Sequence, residues 1–307
     1  MAIAVAILKG RLPRLALWLA LALPLALPQP AARAEALLHG HGLLWKIEGG
    51  GAAPSYLFGT IHLSDTRVTT LPGPVADAID ATRSLSIEVL LNAASKLRTM
   101  GRMIIIEGPK LDEILGDALF ARVVDAAAPY GLNRNVVKHM KPWAMWLLLS
   151  LPPEEMKAGQ GMALDEALQV EAMRRGKPVY GLETIDEQLD SVAGFTVHEQ
   201  IALLASAVDD RHKVEAMLEQ MTRLYLARDV AAIYDLMTAQ SWNIEPAVVD
   251  SVMERLIDSR NLRMTERMIA RLDEGAAFVA VGAMHLPGER GMLRLLEQRG
   301  YTVSRVY

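Results

Sequence analysis

Two histidines in this chain stand in matched surroundings. His62 closes Gly59-Thr60-Ile61-His62-Leu63 and His285 closes Gly282-Ala283-Met284-His285-Leu286, so each lies three residues after a glycine and one before a leucine. Each also sits where a short apolar run, Tyr56 to Ile61 or Phe278 to Val281, gives way to a loop and then to a helical pattern. In an open α/β sheet that junction is the carboxyl end of a strand, where side chains project into a crevice bordered by loops. Two carboxylates fall at comparable places, Glu88 within Leu85-Ser86-Ile87-Glu88-Val89-Leu90 and Glu183 after Pro178-Val179-Tyr180-Gly181-Leu182. Two imidazoles with one or two carboxylates can hold a divalent metal and leave a position open for water, whose proton a neighbouring carboxylate can take. The glycines suit such a place, because a missing side chain lets backbone or substrate approach closely.

The same residues have structural uses. A histidine at a strand end also serves as a hydrogen-bonded support. An unpaired carboxylate in an apolar strand is costly, so Glu88 requires a cationic partner, either a metal or a salt bridge. Glu183 can instead cap the helix that begins at Thr184. His39 and His41 read as solvated, and His139, His198 and His212 lie on helices without a ligand-spaced partner. The chain has no cysteine to act as nucleophile, no Gly-x-Ser-x-Gly elbow, no phosphate loop and no His-Glu-x-x-His helix.

The elements that must hold these residues form two units. Leu43–Ile47 and Tyr56–Ile61 flank Gly49-Gly50-Gly51 and Pro54 as a hairpin, followed by a helix from Val75 to Arg83 and a strand over Leu85–Leu90, which implies a parallel pair with a right-handed crossover. The C-terminal end repeats the layout, with strands at Phe278–Val281 and Tyr301–Val306 around a helix at Met292–Arg299. Between the units, helical periodicity covers Leu111–Ala128, Trp143–Leu151, Leu164–Arg175, Ile185–Val192, Glu199–Ala227, Val230–Ala239, Pro246–Ile257 and Leu262–Leu272, interrupted by the strand ending at Glu183. No stretch reads as a linker. The expectation is a single α/β domain over residues 35–307, its sheet built from both ends and its middle mostly helical.

Composition narrows the partners. The 307 residues are 51% hydrophobic and 22% charged, enough apolar material for a core without disulfides. Residues 1–34 carry Lys9, Arg11, Arg14 and Arg33 and no acid, leaving 28 basic against 36 acidic side chains beyond them. That surplus of acid argues against nucleic acid as a partner. Three basic residues, an apolar run from Leu15 to Leu27 and the small-x-small triplet Ala32-Arg33-Ala34 form a secretory signal over residues 1–34. The run is shorter than the roughly 20 residues that span a bilayer, so the reading is a cleaved leader and a periplasmic or secreted protein without a stable membrane anchor.

Three segments, Tyr56–Leu63, Gly176–Thr184 and Val281–Gly288, together resemble the TraB/GumN family, which includes the animal Tiki proteins and has two Gly-x-x-His motifs as its hallmark. Arg260-Asn261 resembles a pair found before the family's last helix, and Gln188 the glutamine after its Leu-Glu-Thr segment. The resemblance implies a fold akin to the erythromycin esterase and ChaN-like group and a metal-dependent peptidase activity. It also implies that His62, Glu88 and His285 are the metal or catalytic residues with Arg260 nearby. Met284 departs from the smaller residue of many bacterial relatives, and would either narrow the pocket or pack beneath it. The expectation is an exported hydrolase acting on a peptide or small molecule. His62 and His285 hold Mn²⁺, Co²⁺ or Zn²⁺, Glu88 is ligand or base, Arg260 steadies an oxyanion, and Glu183, Asn261, Gly59 and Gly282 support them. The alternatives are a metal-free esterase using a histidine base and a haem- or metal-capturing protein without catalysis. For export, the intact mass of protein recovered outside the cytoplasm is expected to correspond to a chain starting at or near Glu35; retention of Met1 would overturn that reading.

Overall fold

The computed structural model describes residues 37–49, 53–156, 161–238 and 244–307. The leader over residues 1–34 and most of the Gly49-Gly50-Gly51 turn lie outside the described residues. A mixed six-stranded sheet forms the centre: β1 (Leu44–Glu48), β2 (Ser55–Thr60), β3 (Ser84–Val89), β4 (Val179–Glu183), β5 (Ala277–Gly282) and β6 (Thr302–Arg305). Its order is β4-β3-β5-β2-β1-β6. β4, β3, β5 and β2 run parallel, while β1 is antiparallel to both β2 and β6.

The β1–β2 hairpin and the crossover from β2 to β3 through α1 (Gly73–Ala81) match the sequence reading, with one correction. β2 and β3 are not paired with each other, because β5 from the far end of the chain lies between them. The two units are interleaved rather than placed side by side. β5 is buried along its whole length, and its continuous apolar sequence Ala-Phe-Val-Ala-Val suits a strand covered on both faces. Phe278 and Ala280 join the larger core with Phe58, Trp143, Trp146 and Phe120, and Val279 and Val281 join a smaller core with Leu57, Met264, Met268 and Leu293. The alternation follows from the two-residue period of a strand.

The larger core is roofed by the helical middle. The smaller one is covered by α4 (Ser259–Glu274) and α5 (Met292–Gln298). Two further helices matter for the site, α2 (Leu164–Arg174) and α3 (Ile185–Ala193). The expected helix over Glu199–Ala227 is two helices, Val197–Asp209 and Val214–Leu226, separated by a tight turn at Arg211–Lys213. Helical periodicity in the sequence runs across that turn because both helices are amphipathic and lean on the same core. Among the described residues no single helix is long and apolar enough to cross a membrane.

Interleaving sets Gly59 opposite Val281 and Thr60 opposite Gly282, so the two Gly-x-x-His segments leave adjacent strands together. A Cβ on Gly59 would stand 2.7 Å from Leu286 Cδ1 and 3.0 Å from Ala283 Cα, so the first glycine makes room for the backbone of the second motif. Gly59→Ala is expected to destabilise the fold by about 1–3 kcal/mol through overpacking, lowering the thermal midpoint by roughly 2–4 °C per kcal/mol. An unchanged midpoint would refute the tight-approach role.

Candidate functional site

The carboxyl ends of β2, β3, β4 and β5 bring together His62, Glu88, Glu183 and His285, all buried. β3 delivers Glu88 one residue before its end, β4 delivers Glu183 as its last residue, and Val89 pairs with Glu183 in the ladder. The fifth element is α4, whose first turn carries Arg260 and Asn261. The pair does not precede the helix, as the sequence suggested, but belongs to it. A π-turn over Glu254–Asp258 joins the helix Pro246–Met253 to α4, with the Ser259 N–H bonded to the Glu254 carbonyl five residues back. Periodicity does not register one inserted residue of this kind, and such turns recur at functional sites.

Arg260 is wholly buried and lies between two carboxylates. Its Nη2 donates to Glu88 Oε2 at 2.6 Å, its Nε to Glu183 Oε2 at 2.8 Å, and its Nη1 to the Leu256 carbonyl at 3.1 Å. Glu183 Oε1 faces Arg263 Nε at 3.2 Å. Glu183 therefore does not cap the following helix; Thr184 does, in a reciprocal pairing with Glu187. The other oxygen of Glu88, Oε1, accepts the Gly282 N–H at 2.7 Å and lies 3.6 Å from His285 Nε2. Gln188 Nε2 donates to Glu88 Oε2 at 3.4 Å, so Gln188 does reach the site.

Each histidine is held by its Nδ1. His285 Nδ1 lies 2.7 Å from Asn261 Oδ1, and the amide is oriented because Asn261 Nδ2 donates to the Arg290 carbonyl at 2.9 Å. An amide oxygen only accepts, so the proton of a neutral His285 is on Nδ1 and the lone pair on Nε2. Arg260 Nη1 approaches that nitrogen at 3.4 Å, as long a contact as that between Gln188 and Glu88. His62 Nδ1 lies 2.6 Å from Asp165 Oδ2. Asp165, in the first turn of α2, is a neighbour of His62 to which the sequence does not point. Nothing local distinguishes it from any acid at a helix N-terminus; only the packing of α2 beside β3, 103 positions along the chain from His62, shows its place.

Burial and charge compete in this cluster. Burial is the largest influence on Glu88 and opposes its ionisation, but Arg260, the two histidines and the Gly282 N–H together hold it well below the usual carboxylate range. Burial raises Glu183, reinforced by Glu88 and opposed by Arg260. Burial lowers His285 to about 3, with Arg260 adding to the effect and Glu88 resisting it. Burial also works against a charged His62, yet the charge and hydrogen bond of Asp165 outweigh it and the pKa is raised. Met284 is buried in the larger core. His39 is not solvated: its Nε2 meets Glu297 Oε1 at 2.9 Å.

Among the described residues no three His, Asp or Glu side chains stand ready around one coordination point. The donor chemistry nonetheless suits a divalent ion. A Cβ built on Gly282 would lie 3.2 Å from Glu88 Oε1, 3.5 Å from the His285 ring and 3.7 Å from His62 Nε2, so the absent side chain leaves a cradle faced by all three. Beside it a cavity of about 20 Å³ opens between His62, Glu88, Asp165 and Gln188, room for about one water-sized occupant. A haem macrocycle is far larger than that space.

A mixed sheet with a buried His-Glu-Arg centre at its carboxyl edge thus defines the class of protein. The TraB/PrgY/gumN family model matches residues 43–305, and the chain belongs to that family. Among curated proteins it is similar to a metalloprotease TIKI homolog of Nematostella vectensis, at 22% identity over 87% of this chain and 67% of that protein. It is 25% identical to metalloprotease TIKI1 of Danio rerio over 86% of this chain and 63% of the relative, and 24% identical to the Homo sapiens TIKI1 over 86% and 62%. The chain therefore spans about three fifths to two thirds of the relatives' length. No solved structure matches it.

The shifts fix a pH dependence. His285 has a folded pKa of about 3 against 6.5 for the ordinary group, so between those values the unfolded chain binds a proton that the folded one refuses. Stability is then lost as pH falls through that window, and Glu88 adds to the loss at its lower end. With chelator present, the thermal midpoint is expected to fall from pH 7 to pH 4, and less steeply in His285→Gln. Equal slopes in the two proteins would contradict a buried, neutral His285.

Proposed function

We propose that this chain is an exported metal-dependent hydrolase, a peptidase by class, whose centre is formed by His62, Glu88 and His285. The observation that carries the reading is the way both imidazoles are tied at Nδ1 beside the cradle above Gly282, where His62 presents Nε2 and His285 its ring edge, with His285 Nε2 3.6 Å from Glu88 Oε1. Ligating histidines are held in this way, by a carboxylate or amide on the other ring nitrogen. Glu88 and Glu183 face Arg260 and Arg263, while Asp165 faces His62. Names of relatives support the class, since those cited above are called metalloproteases. The leader sequence over residues 1–34 supports a periplasmic or secreted site of action.

His62, His285 and Glu88 would hold the ion, with Mn²⁺, Co²⁺ and Zn²⁺ all compatible with nitrogen and oxygen donors. When bound, such an ion supplies Lewis acidity to a peptide carbonyl. The chain's own residues divide the remaining work. Glu88 stays ionised at neutral pH, and a carboxylate with so low a pKa is a better charge donor than proton acceptor. Arg260 is committed to Glu88, Glu183 and the Leu256 carbonyl, so it acts by fixing Glu88 and not by reaching substrate. His285, neutral at physiological pH, offers a lone pair without a competing proton.

A second reading has its own observation. The His62–Asp165 pair at 2.6 Å resembles the base and orienter of metal-free hydrolases, and would let His62 take a proton directly. Metal titration separates the two. Purified wild type, His62→Ala, His285→Ala and Gly282→Ala are unfolded thermally with chelator and with added Mn²⁺, and assayed on a quenched-fluorescent peptide library. Wild type is expected to be stabilised by metal through mass action, about 2.7 kcal/mol at a hundredfold excess over Kd, and the three variants to lose both that response and peptide cleavage. Gly282→Ala is the sensitive control, because Gly282 has an ordinary φ of −53° and its substitution strains no backbone. Equal metal response in all four proteins would reject the shared centre, and cleavage unaffected by chelator would favour the histidine base.

A further inference from the structure

We infer that Asp165, anchored by Thr60, is the positioning residue of His62, and that the second place of each Gly-x-x-His motif records which orienter its histidine uses. The inference rests on the proposed centre, in which His62 Nε2 faces the reacting groups. It assigns roles to Asp165 and Thr60, neither of which the motif itself predicts.

Both oxygens of Asp165 are engaged. Oδ2 accepts from His62 Nδ1 at 2.6 Å, and Oδ1 accepts the Thr60 hydroxyl at 2.7 Å. A carboxylate held at both oxygens cannot rotate away from the ring, and as an acceptor it requires the imidazole proton at Nδ1. The lone pair of a neutral His62 is thereby directed to Nε2, the atom that faces the Gly282 cradle. Thr60 and His62 are two residues apart in one segment, so a single motif supplies both the histidine and the anchor of its orienter.

The second motif solves the same problem differently. Its place equivalent to Thr60 is Ala283, which has no hydroxyl and whose Cβ lies 3.2 Å from where a Cβ on Gly59 would be. Close approach of the two motifs therefore leaves little space for a branched side chain at Ala283. His285 takes its orienter from α4 instead, as Asn261, and that amide is anchored by the Arg290 carbonyl. The two orienters also differ in charge. An anionic partner makes the lone pair of His62 the stronger donor, whereas His285, already beside Arg260, has a neutral partner. Matched motifs thus carry unlike histidines, and the difference is written as threonine against alanine.

The test uses Thr60→Val, which keeps the volume and removes the hydroxyl, with Thr60→Ser as rescue and Asp165→Asn and Asp165→Ala at the orienter. Two measurements are made on the purified full chain. Ring nitrogens are observed by long-range ¹H–¹⁵N correlation with chelator present, and Mn²⁺ affinity is measured by calorimetry. Wild type is expected to show His62 with its proton at Nδ1. Asp165→Ala and Thr60→Val are expected to shift that pattern toward Nε2 while the signals of His285 stay in place, and to weaken Mn²⁺ binding by about 10- to 100-fold. Thr60→Ser restores both. A His62 pattern unchanged in Asp165→Ala, or a shift of His285 equal to that of His62 in Thr60→Val, would overturn the inference. Should wild type take up no Mn²⁺ while the His62 pattern still depends on Asp165 and Thr60, the metal reading fails and the positioning role stands.

Discussion

A guanidinium with no exposure to water organises this molecule. Burying an ion costs several kcal/mol even after relaxation, and the cost is offset only by well-placed counter-charges and filled hydrogen bonds. Arg260 has both, from Glu88, Glu183 and the Leu256 carbonyl. These partners come from β3, β4 and the π-turn before α4, so the ion cluster ties the helix on one face of the sheet to the ends of two strands. Buried ion pairs are weak sources of net stability compared with apolar packing, and their attested use is to fix register. Here the register fixed is that of α4, which also places Asn261 against His285.

From that point the site assembles in layers. Arg260 holds Glu88, Glu88 accepts the Gly282 N–H, and the loop after Gly282 brings His285 to within 3.6 Å of Glu88. The glycines of the two motifs are not interchangeable. Gly59 admits the backbone of the second motif, while Gly282 leaves open the space that the three donors face. One allows the motifs to meet and the other keeps a gap between their histidines.

The interleaved sheet makes this possible at modest cost in chain length. With β5 between β2 and β3, the strands bearing both motifs and Glu88 are direct neighbours along the sheet. Their carboxyl ends lie on one side of the sheet, where the buried His62, Glu88 and His285 come together. The large core below, with Trp143, Trp146 and Phe120 among its buried residues, joins the helical middle to residues of the strands such as Phe58, Ile87 and Phe278. Asp165 and Gln188 are residues of the helical middle that reach into the site.

Much of this was legible along the chain. The strands, most helix boundaries and the four strand-end residues His62, Glu88, Glu183 and His285 followed from period, punctuation and the cost of a carboxylate in an apolar run. Those are local or nearest-neighbour properties, and sequence encodes them directly. Relations between distant segments were not legible. The insertion of β5, the break at Arg211–Lys213, the π-turn that carries Arg260 into α4 and the pairing of His62 with Asp165 depend on which surfaces meet once the core has closed. The sequence determined which polar side chains stand at or just beyond the strand ends. Only the tertiary structure decided which partner each would have, because a hydrogen bond or ion pair between residues a hundred positions apart leaves no period or spacing in the chain that makes it.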